Sequence, residues 1–105
     1  MVRWHKVLEP DGPWPDRGIP FMTLVRGTEI CLLRLSDGNW RAWRPVCPHQ
    51  QASLKGIRPD PDGCITCPLH RYSFSLDTGY EKQGRGRLYL YPVEQRDSGV
   101  FIGME

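Results

Sequence analysis

Two short cysteine–histidine pairs constrain this chain more than any other feature. Cys47 and His49 form the first pair with one residue between them, and Cys67 and His70 form the second with two. The 17 residues numbered 50 to 66 separate the pairs. Thiolates and imidazoles are common ligands of transition metals. The pattern C-x-H-x17-C-x-x-H therefore predicts a metal site with four protein ligands.

The short spacers suit a binuclear iron–sulfur cluster. Each loop carries one cysteine and one histidine, so each loop can give one ligand to each iron. Two neutral histidines in place of two thiolates make such a cluster less negative, and adding an electron becomes easier. The residues thus indicate a [2Fe-2S] cluster held between two loops.

A zinc site is the alternative interpretation of the same residues. Zinc accepts two cysteines with two histidines in a tetrahedral arrangement, and Cys64, Cys67 and His70 can be parsed as part of a zinc knuckle. Standard zinc fingers combine C-x-x-C with H-x3-5-H segments, which the pair Cys47 and His49 does not match. A zinc-stabilised interaction module therefore remains the weaker alternative.

The stretch resembles the Rieske iron–sulfur family, in which two cysteines hold the inner iron and two histidines hold the outer iron. The resemblance implies that Cys47, His49, Cys67 and His70 bind one [2Fe-2S] cluster. It extends to further positions, namely Pro48, Pro68, Leu54, Gly56, the turn at 77–79 and the segment 91–94.

Short β-prone runs separated by turns indicate the fold class. Residues 3–8 predict a first edge strand, and four prolines make 9–20 an irregular loop. Residues 21–26 and 29–35 predict a hairpin joined by Gly27 and Thr28. No convincing helical period occurs. The pattern predicts an all-β antiparallel sandwich or barrel, to which the resemblance adds a two-loop cluster-binding subdomain.

The length of 105 residues predicts a single domain spanning 1–105. Within it, Trp40 to Arg44 predicts a strand without a clean apolar face. We expect Trp14 to pack onto the sheet, and His5 to lie on the surface. Cys31 and Cys64 lack a histidine at motif spacing, so we expect them to be structural.

Departures from the family pattern indicate a low-potential member. High-potential Rieske proteins link the two loops by a disulfide, but Ala52 and Leu69 occupy the required positions. They also carry serine and tyrosine hydroxyls that donate to sulfur, where this chain has Tyr72 and Phe74. Arg71 replaces the glycine that commonly follows the second histidine. The pattern is similar to that of ferredoxins that serve bacterial oxygenases.

Charge and composition restrict the classes of partner that we expect for this chain. The formal net charge is +2, and no Lys/Arg run is interleaved with aromatics, so we expect no nucleic-acid partner. No run of about 18 apolar residues exists, and the N-terminus has no secretory h-region, so we expect no membrane partner and a cytoplasmic location. Between residues 41 and 71 the chain has an excess of +3, which predicts a basic surface around the cluster; the basic residues are Arg41, Arg44, Lys55, Arg58 and Arg71.

The resemblance implies a soluble electron carrier that takes one electron from a reductase and gives it to an oxygenase or related redox enzyme. It implies no catalysis by the chain itself. The small subunit of an assimilatory nitrite reductase is an alternative, because it can share the fold. Such subunits often lack the ligands, whereas all four are present here.

Overall fold

The computed structural model describes residues 1–49 and 51–105, and its regular structure consists of strands. None of the described residues lies in an α-helix, and no described helix could therefore cross a bilayer. The predicted all-β class is confirmed. The strands are β1 Arg3–Leu8, β2 Phe21–Val25, β3 Thr28–Arg34, β4 Trp40–Trp43, β5 Cys64–Thr66, β6 Ser73–Ser75, β7 Leu90–Tyr91, β8 Val93–Arg96 and β9 Gly99–Met104.

The strands pair antiparallel in three sheets. One sheet has the order β1-β9-β8, with β1 at its edge as predicted. A second has the order β2-β3-β4-β7, and the third is the hairpin of β5 and β6. The β5–β6 hairpin follows the first cysteine–histidine pair in the chain and carries the second pair between its strands.

The turn between β2 and β3 differs from the prediction by one residue. Val25 pairs with Thr28, so Arg26 and Gly27 form the two-residue loop, with φ of 52° and 80°. A two-residue hairpin of this type needs positive φ at both central positions, because that twist matches the flanking strands. The prediction of Gly27 and Thr28 as the turn was wrong because Thr28 belongs to β3.

The central sheet buries side chains on both faces. One face contributes to a cluster that we call the site core, which consists of Cys31, Leu33, Trp43, Cys47, Leu54, Ile65, Cys67, Phe74, Leu76 and Leu88. The other contributes to the distal core, which consists of Leu8, Val25, Ile30, Leu32, Trp40, Ala42, Val100 and Ile102. Strand β4 lies between β3 and β7 and serves both cores, which explains why its sequence has no clean polar alternation.

The irregular segment before β2 is attached to the distal core by Trp14. The Trp14 ring lies edge to face with Trp40 at a centroid distance of 5.7 Å, and its indole N–H donates to the Glu9 carbonyl. The expectation for Trp14 is confirmed. His5 is half-buried rather than on the open surface, because β1 pairs along its length with β9.

Candidate metal centre

The first cysteine–histidine pair lies in a loop that we call the first loop, of which the structure describes residues 47–49 and 51–52. The Cys47 N–H donates to the Ala52 carbonyl at 2.8 Å, and the Gln51 N–H donates to the Cys47 carbonyl at 2.8 Å. Gln51 has φ of 57°. Beyond the loop, Val46 and Ser53 form a bridge, which closes its base.

The second pair lies in a loop with the same backbone pattern, the second loop, residues 67–72. The Cys67 N–H donates to the Tyr72 carbonyl at 2.8 Å, and the Arg71 N–H donates to the Cys67 carbonyl at 2.8 Å. Arg71 has φ of 57°, as Gln51 does in the first loop. Thr66 and Ser73 pair at its base. The chain therefore uses one turn twice, and each turn begins with a cysteine.

The two loops separate thiols from imidazoles. Cys47 and Cys67 are each 1% exposed and belong to the same site core. His49 and His70 are exposed, and their rings lie edge to face with centroids 5.6 Å apart. The structure thus places the two predicted cysteines in one buried core and the two predicted histidines side by side at the surface.

Leu54 and Gly56 follow the first loop in the chain. Leu54 is fully buried in the site core with both loop cysteines, and its N–H donates to the Pro45 carbonyl at 2.8 Å. Gly56 has φ of 74°, a conformation that glycine adopts with little strain. Leu54 therefore belongs to the apolar core that contains both loop cysteines.

The remaining cysteines are buried thiols outside the two loops. Burial raises the pKa of Cys31 to about 12, and it raises the pKa of Cys64 with help from the charge of Asp62. Both thiols therefore stay protonated near neutral pH. Cys64 is also absent from the site core that holds Cys67, as expected because residues three positions apart along an extended segment point to opposite faces.

Comparison with known proteins identifies the family to which a chain with this two-loop arrangement belongs. The sequence profile of the Rieske [2Fe-2S] domain matches residues 3–88. The chain belongs to the Rieske [2Fe-2S] domain family. A Rieske-type [2Fe-2S] cluster is the cofactor of such a domain, and the donor set fits it, because two buried thiols and two adjacent exposed imidazoles supply two ligands for each of two irons.

Individual relatives of this Rieske domain include carriers and larger proteins. The ferredoxin component of an alkene monooxygenase system from Xanthobacter autotrophicus is 30% identical over 80 residues, which cover 75% of this chain and 66% of that protein. The matched region spans just under two thirds of that relative, and a quarter or less of the next two curated relatives.

Solved structures share the fold over nearly the whole chain. The ferredoxin of carbazole 1,9a-dioxygenase from Nocardioides aromaticivorans has a TM-score of 0.76 at 24% identity, covering 94% of this chain and 95% of that one. A candidate small subunit of an NADH-dependent nitrite reductase from Mycobacterium tuberculosis has a TM-score of 0.78 at 21% identity, covering 100% and 97%. Both share the fold of this chain at matching size.

Arg71 adopts a backbone conformation that favours glycine. Its φ of 57° lies in the left-handed region, which costs a non-glycine residue about 1 kcal/mol. The second loop keeps the shape of the first loop in spite of this cost, because the hydrogen bond from Arg71 to Cys67 closes the turn. The two loops therefore share one backbone pattern although arginine occupies this position.

Sequence reasoning missed the contact between the Tyr72 ring and the two histidines. The Tyr72 ring centroid lies 4.6 Å from that of His49 and 5.9 Å from that of His70. Tyr72 is two residues beyond His70, so an aromatic residue at that spacing was the available signal. Its proximity to His49 could come only from the folded chain.

Proposed function

We propose that this Rieske domain is a one-electron carrier that accepts an electron from a reductase and delivers it to an oxygenase or related redox enzyme. The observation that carries the proposal is the placement of two adjacent imidazoles at the surface, above two buried thiols. An exposed ligand edge allows a partner protein to approach the redox centre closely. The chain performs no catalysis of its own.

The proposed ligand roles follow the burial of the side chains. Cys47 and Cys67 hold the inner iron, and His49 and His70 hold the outer iron. When bound, the cluster supplies a one-electron redox centre whose potential is raised by histidine ligation. Burial of the thiols keeps water from the sulfur side, whereas exposure of the imidazoles leaves the other side open to partners.

The relatives support an oxygenase-linked carrier. One is named as the ferredoxin component of a monooxygenase system, and another as the ferredoxin of a dioxygenase. A nitrite reductase small subunit remains the second candidate, since a protein so described shares the fold. We further propose that residues 1–105 act as one domain in the cytoplasm, with no nucleic-acid or membrane partner. Four free thiols suit a reducing compartment.

A reconstituted electron-transfer chain tests the carrier function. Reductive titration without oxygen should consume about one electron per chain, since a [2Fe-2S] cluster has one accessible reduction step. The reduced protein should then support turnover by a partner oxygenase, and His70→Ala should not. Turnover that is equally fast without the protein would contradict the carrier role. Stimulation of nitrite reduction instead would favour the second candidate.

The basic surface predicted around the site is smaller than the sequence indicates. Arg41 pairs with Asp77 at 2.9 Å, and Lys55 pairs with Glu29 at 2.7 Å. The fold thereby neutralises two of the five basic residues.

Two of the remaining predicted residues, Arg44 and Arg71, form what we call the basic collar together with Arg87, which lies outside the predicted range. Arg71 belongs to the second loop, and Arg44 and Arg87 line a hollow of about 230 Å³ together with Pro48 of the first loop. Among the ion pairs of the described residues, none includes a collar arginine. The collar therefore offers positive charge to an acidic partner.

If the basic collar steers association, the second-order rate of electron transfer with an acidic reductase should fall as salt rises. Exposed charges are screened over about 8 Å at physiological ionic strength. The double change Arg44→Glu and Arg87→Glu should slow transfer by roughly tenfold or more at low salt. Arg3→Glu on β1 is the control; it reverses one charge where the double variant reverses two, and should slow transfer by less than half as much on a logarithmic scale. Rates that are flat with salt and equal in all variants would leave the collar without a role.

A further inference from the structure

A stack of three side chains lies beside the two histidines. Tyr72 contacts both imidazoles, at centroid distances of 4.6 Å and 5.9 Å. The Arg85 guanidinium carbon lies 3.6 Å from the Tyr72 ring centroid, which is close contact for a cation and an aromatic ring. Arg85 in turn forms a two-point ion pair with Glu81, at 2.9 and 3.0 Å. One ring therefore separates this ion pair from the proposed histidine ligands.

Glu81 is fixed more firmly than a surface carboxylate. Its side chain is 1% exposed, and it is the one charged residue that is buried among residues 1–49 and 51–105. Besides Arg85, it accepts hydrogen bonds from the backbone N–H groups of Gln83, Arg85 and Ser73. A buried carboxylate with this many donors is rigid, and removing its cation would leave an uncompensated charge.

Glu81 also attaches its own segment to the second loop. Ser73 follows that loop directly, and the Lys82 N–H donates to the Ser73 carbonyl at 2.9 Å. Phe74 and Glu81 form a bridge. The segment contains Gly84 and Gly86, with φ of 79° and 129°, so its backbone has little intrinsic stiffness. The hydrogen bonds of Glu81 therefore define the position from which Arg85 reaches Tyr72.

We propose that Glu81, Arg85 and Tyr72 form a positioning unit for the two histidines, His49 and His70. The ion pair between Glu81 and Arg85 keeps the charge near these histidines balanced, and this balance acts on the reduction potential of the bound cluster. The inference rests on the ligand roles proposed above. Tyr72 limits rotation of the two imidazoles by packing against them. Arg85 holds the Tyr72 ring, and Glu81 holds Arg85.

The ion pair between Glu81 and Arg85 gives the positioning unit an electrostatic effect on the reduction potential. The guanidinium of Arg85 lowers the pKa of Glu81 to about 2, and backbone hydrogen bonds add to this effect against the opposing effect of burial. Both partners are therefore charged at neutral pH, and together they are neutral. Removing one partner leaves the other unbalanced, and a positive charge favours the more negative reduced state, whereas a negative charge disfavours it.

Two neutralising variants test the charge effect in opposite directions. Glu81→Gln should shift the equilibrium constant for reduction roughly threefold or more toward the reduced state, and Arg85→Gln by a similar factor toward the oxidised state. The double variant should return near the wild-type value. The readout is the midpoint potential of the loaded protein, which requires no partner enzyme.

A remote ion pair provides the matched control. Arg96 and Glu94 pair at 2.7 Å on β8, and the Arg96 guanidinium lies 4.5 Å from the Phe101 ring centroid. This control pair resembles the positioning unit in chemistry but belongs to the sheet of β1, β9 and β8. Arg96→Gln and Glu94→Gln should leave the potential close to wild type.

The positioning role has its own readout. In the reduced protein, Tyr72→Leu should broaden the electron paramagnetic resonance signal because the imidazoles sample more orientations, and Tyr72→Phe should preserve it because the ring remains. Arg85→Lys keeps the charge and should recover most of the shift caused by Arg85→Gln. The Arg85 side chain is 38% exposed, so Arg85→Lys and Arg85→Gln should both fold. They therefore test the charge effect even if Glu81→Gln fails to fold.

The outcomes separate this inference from the carrier function. Potentials that match the control variants, or no recovery in Arg85→Lys, would overturn the positioning unit while the loaded protein still carried electrons. A signal that is equally sharp in Tyr72→Leu would also overturn the positioning role. Wild-type protein that binds no cluster would overturn the proposed function and the inference together.

Discussion

Cys67→Ala is expected to abolish cluster binding and to lower the stability of the fold. Cys67 is 1% exposed in the site core, at the first position of the second loop, so water cannot replace the lost thiolate ligand readily. A group that binds only the folded state stabilises it by about 4 kcal/mol at a thousandfold its dissociation constant. We expect the variant to lose its visible absorbance and to melt well below the loaded wild type. Absorbance spectra, iron analysis and thermal unfolding measure these effects.

Cys64→Ala is the matched control for this prediction. Cys64 is also a buried cysteine, it begins the same strand that leads to Cys67, and its thiol stays protonated because burial raises its pKa. The control should keep the cluster and its spectrum, with only a modest loss of stability. Loss of the cluster in Cys64→Ala, or its retention in Cys67→Ala, would contradict the ligand roles.

The reduction potential is expected to lie in the lower half of the Rieske range, which runs from about −150 to +300 mV. Hydrogen bonds to cluster sulfur stabilise the reduced state. Phe74 is fully buried in the site core with both loop cysteines and has no hydroxyl to donate. Ala52 and Leu69 exclude the disulfide of the high-potential proteins. Protein-film voltammetry measures the midpoint, and a value near the top of the range would contradict this account.

Phe74→Tyr is expected to raise the potential if its new hydroxyl reaches a sulfur. Because the hydroxyl enters a packed core, a loss of roughly 1–3 kcal/mol in unfolding free energy should accompany the change. Phe101→Tyr on β9 is the control, since Phe101 lies outside the site core. An equal potential in wild type and Phe74→Tyr would mean that the hydroxyl finds another partner.

The fold class could be predicted from the sequence because it depends on local patterns, and the candidate ligands are proposed from a local pattern too. Each cysteine lies within three residues of its histidine, so the spacing alone restricts the geometry of the site. Strand β1 and the Trp14 loop also follow from local propensity and from proline, and the structure confirms both. The predicted turn of the β2–β3 hairpin was wrong by one residue because register depends on pairing between the strands.

Features that depend on distant residues could not be predicted. Strand β4 has no clean apolar alternation because it is buried on both faces, a fact that only the layered fold reveals. Arg41 counts toward a basic surface until the fold pairs it with Asp77, 36 residues away. The approach of Arg85 to Tyr72 likewise needs the Glu81 segment to fold back along β6.

The most direct test of the central claim is the metal and sulfide content of the purified protein. Protein made under iron-sufficient conditions should contain about two irons and about two acid-labile sulfides per chain, because each loop offers a thiol to the inner iron and an imidazole to the outer iron. The protein should be brown and should bleach on reduction. Stoichiometric zinc without sulfide would contradict the account.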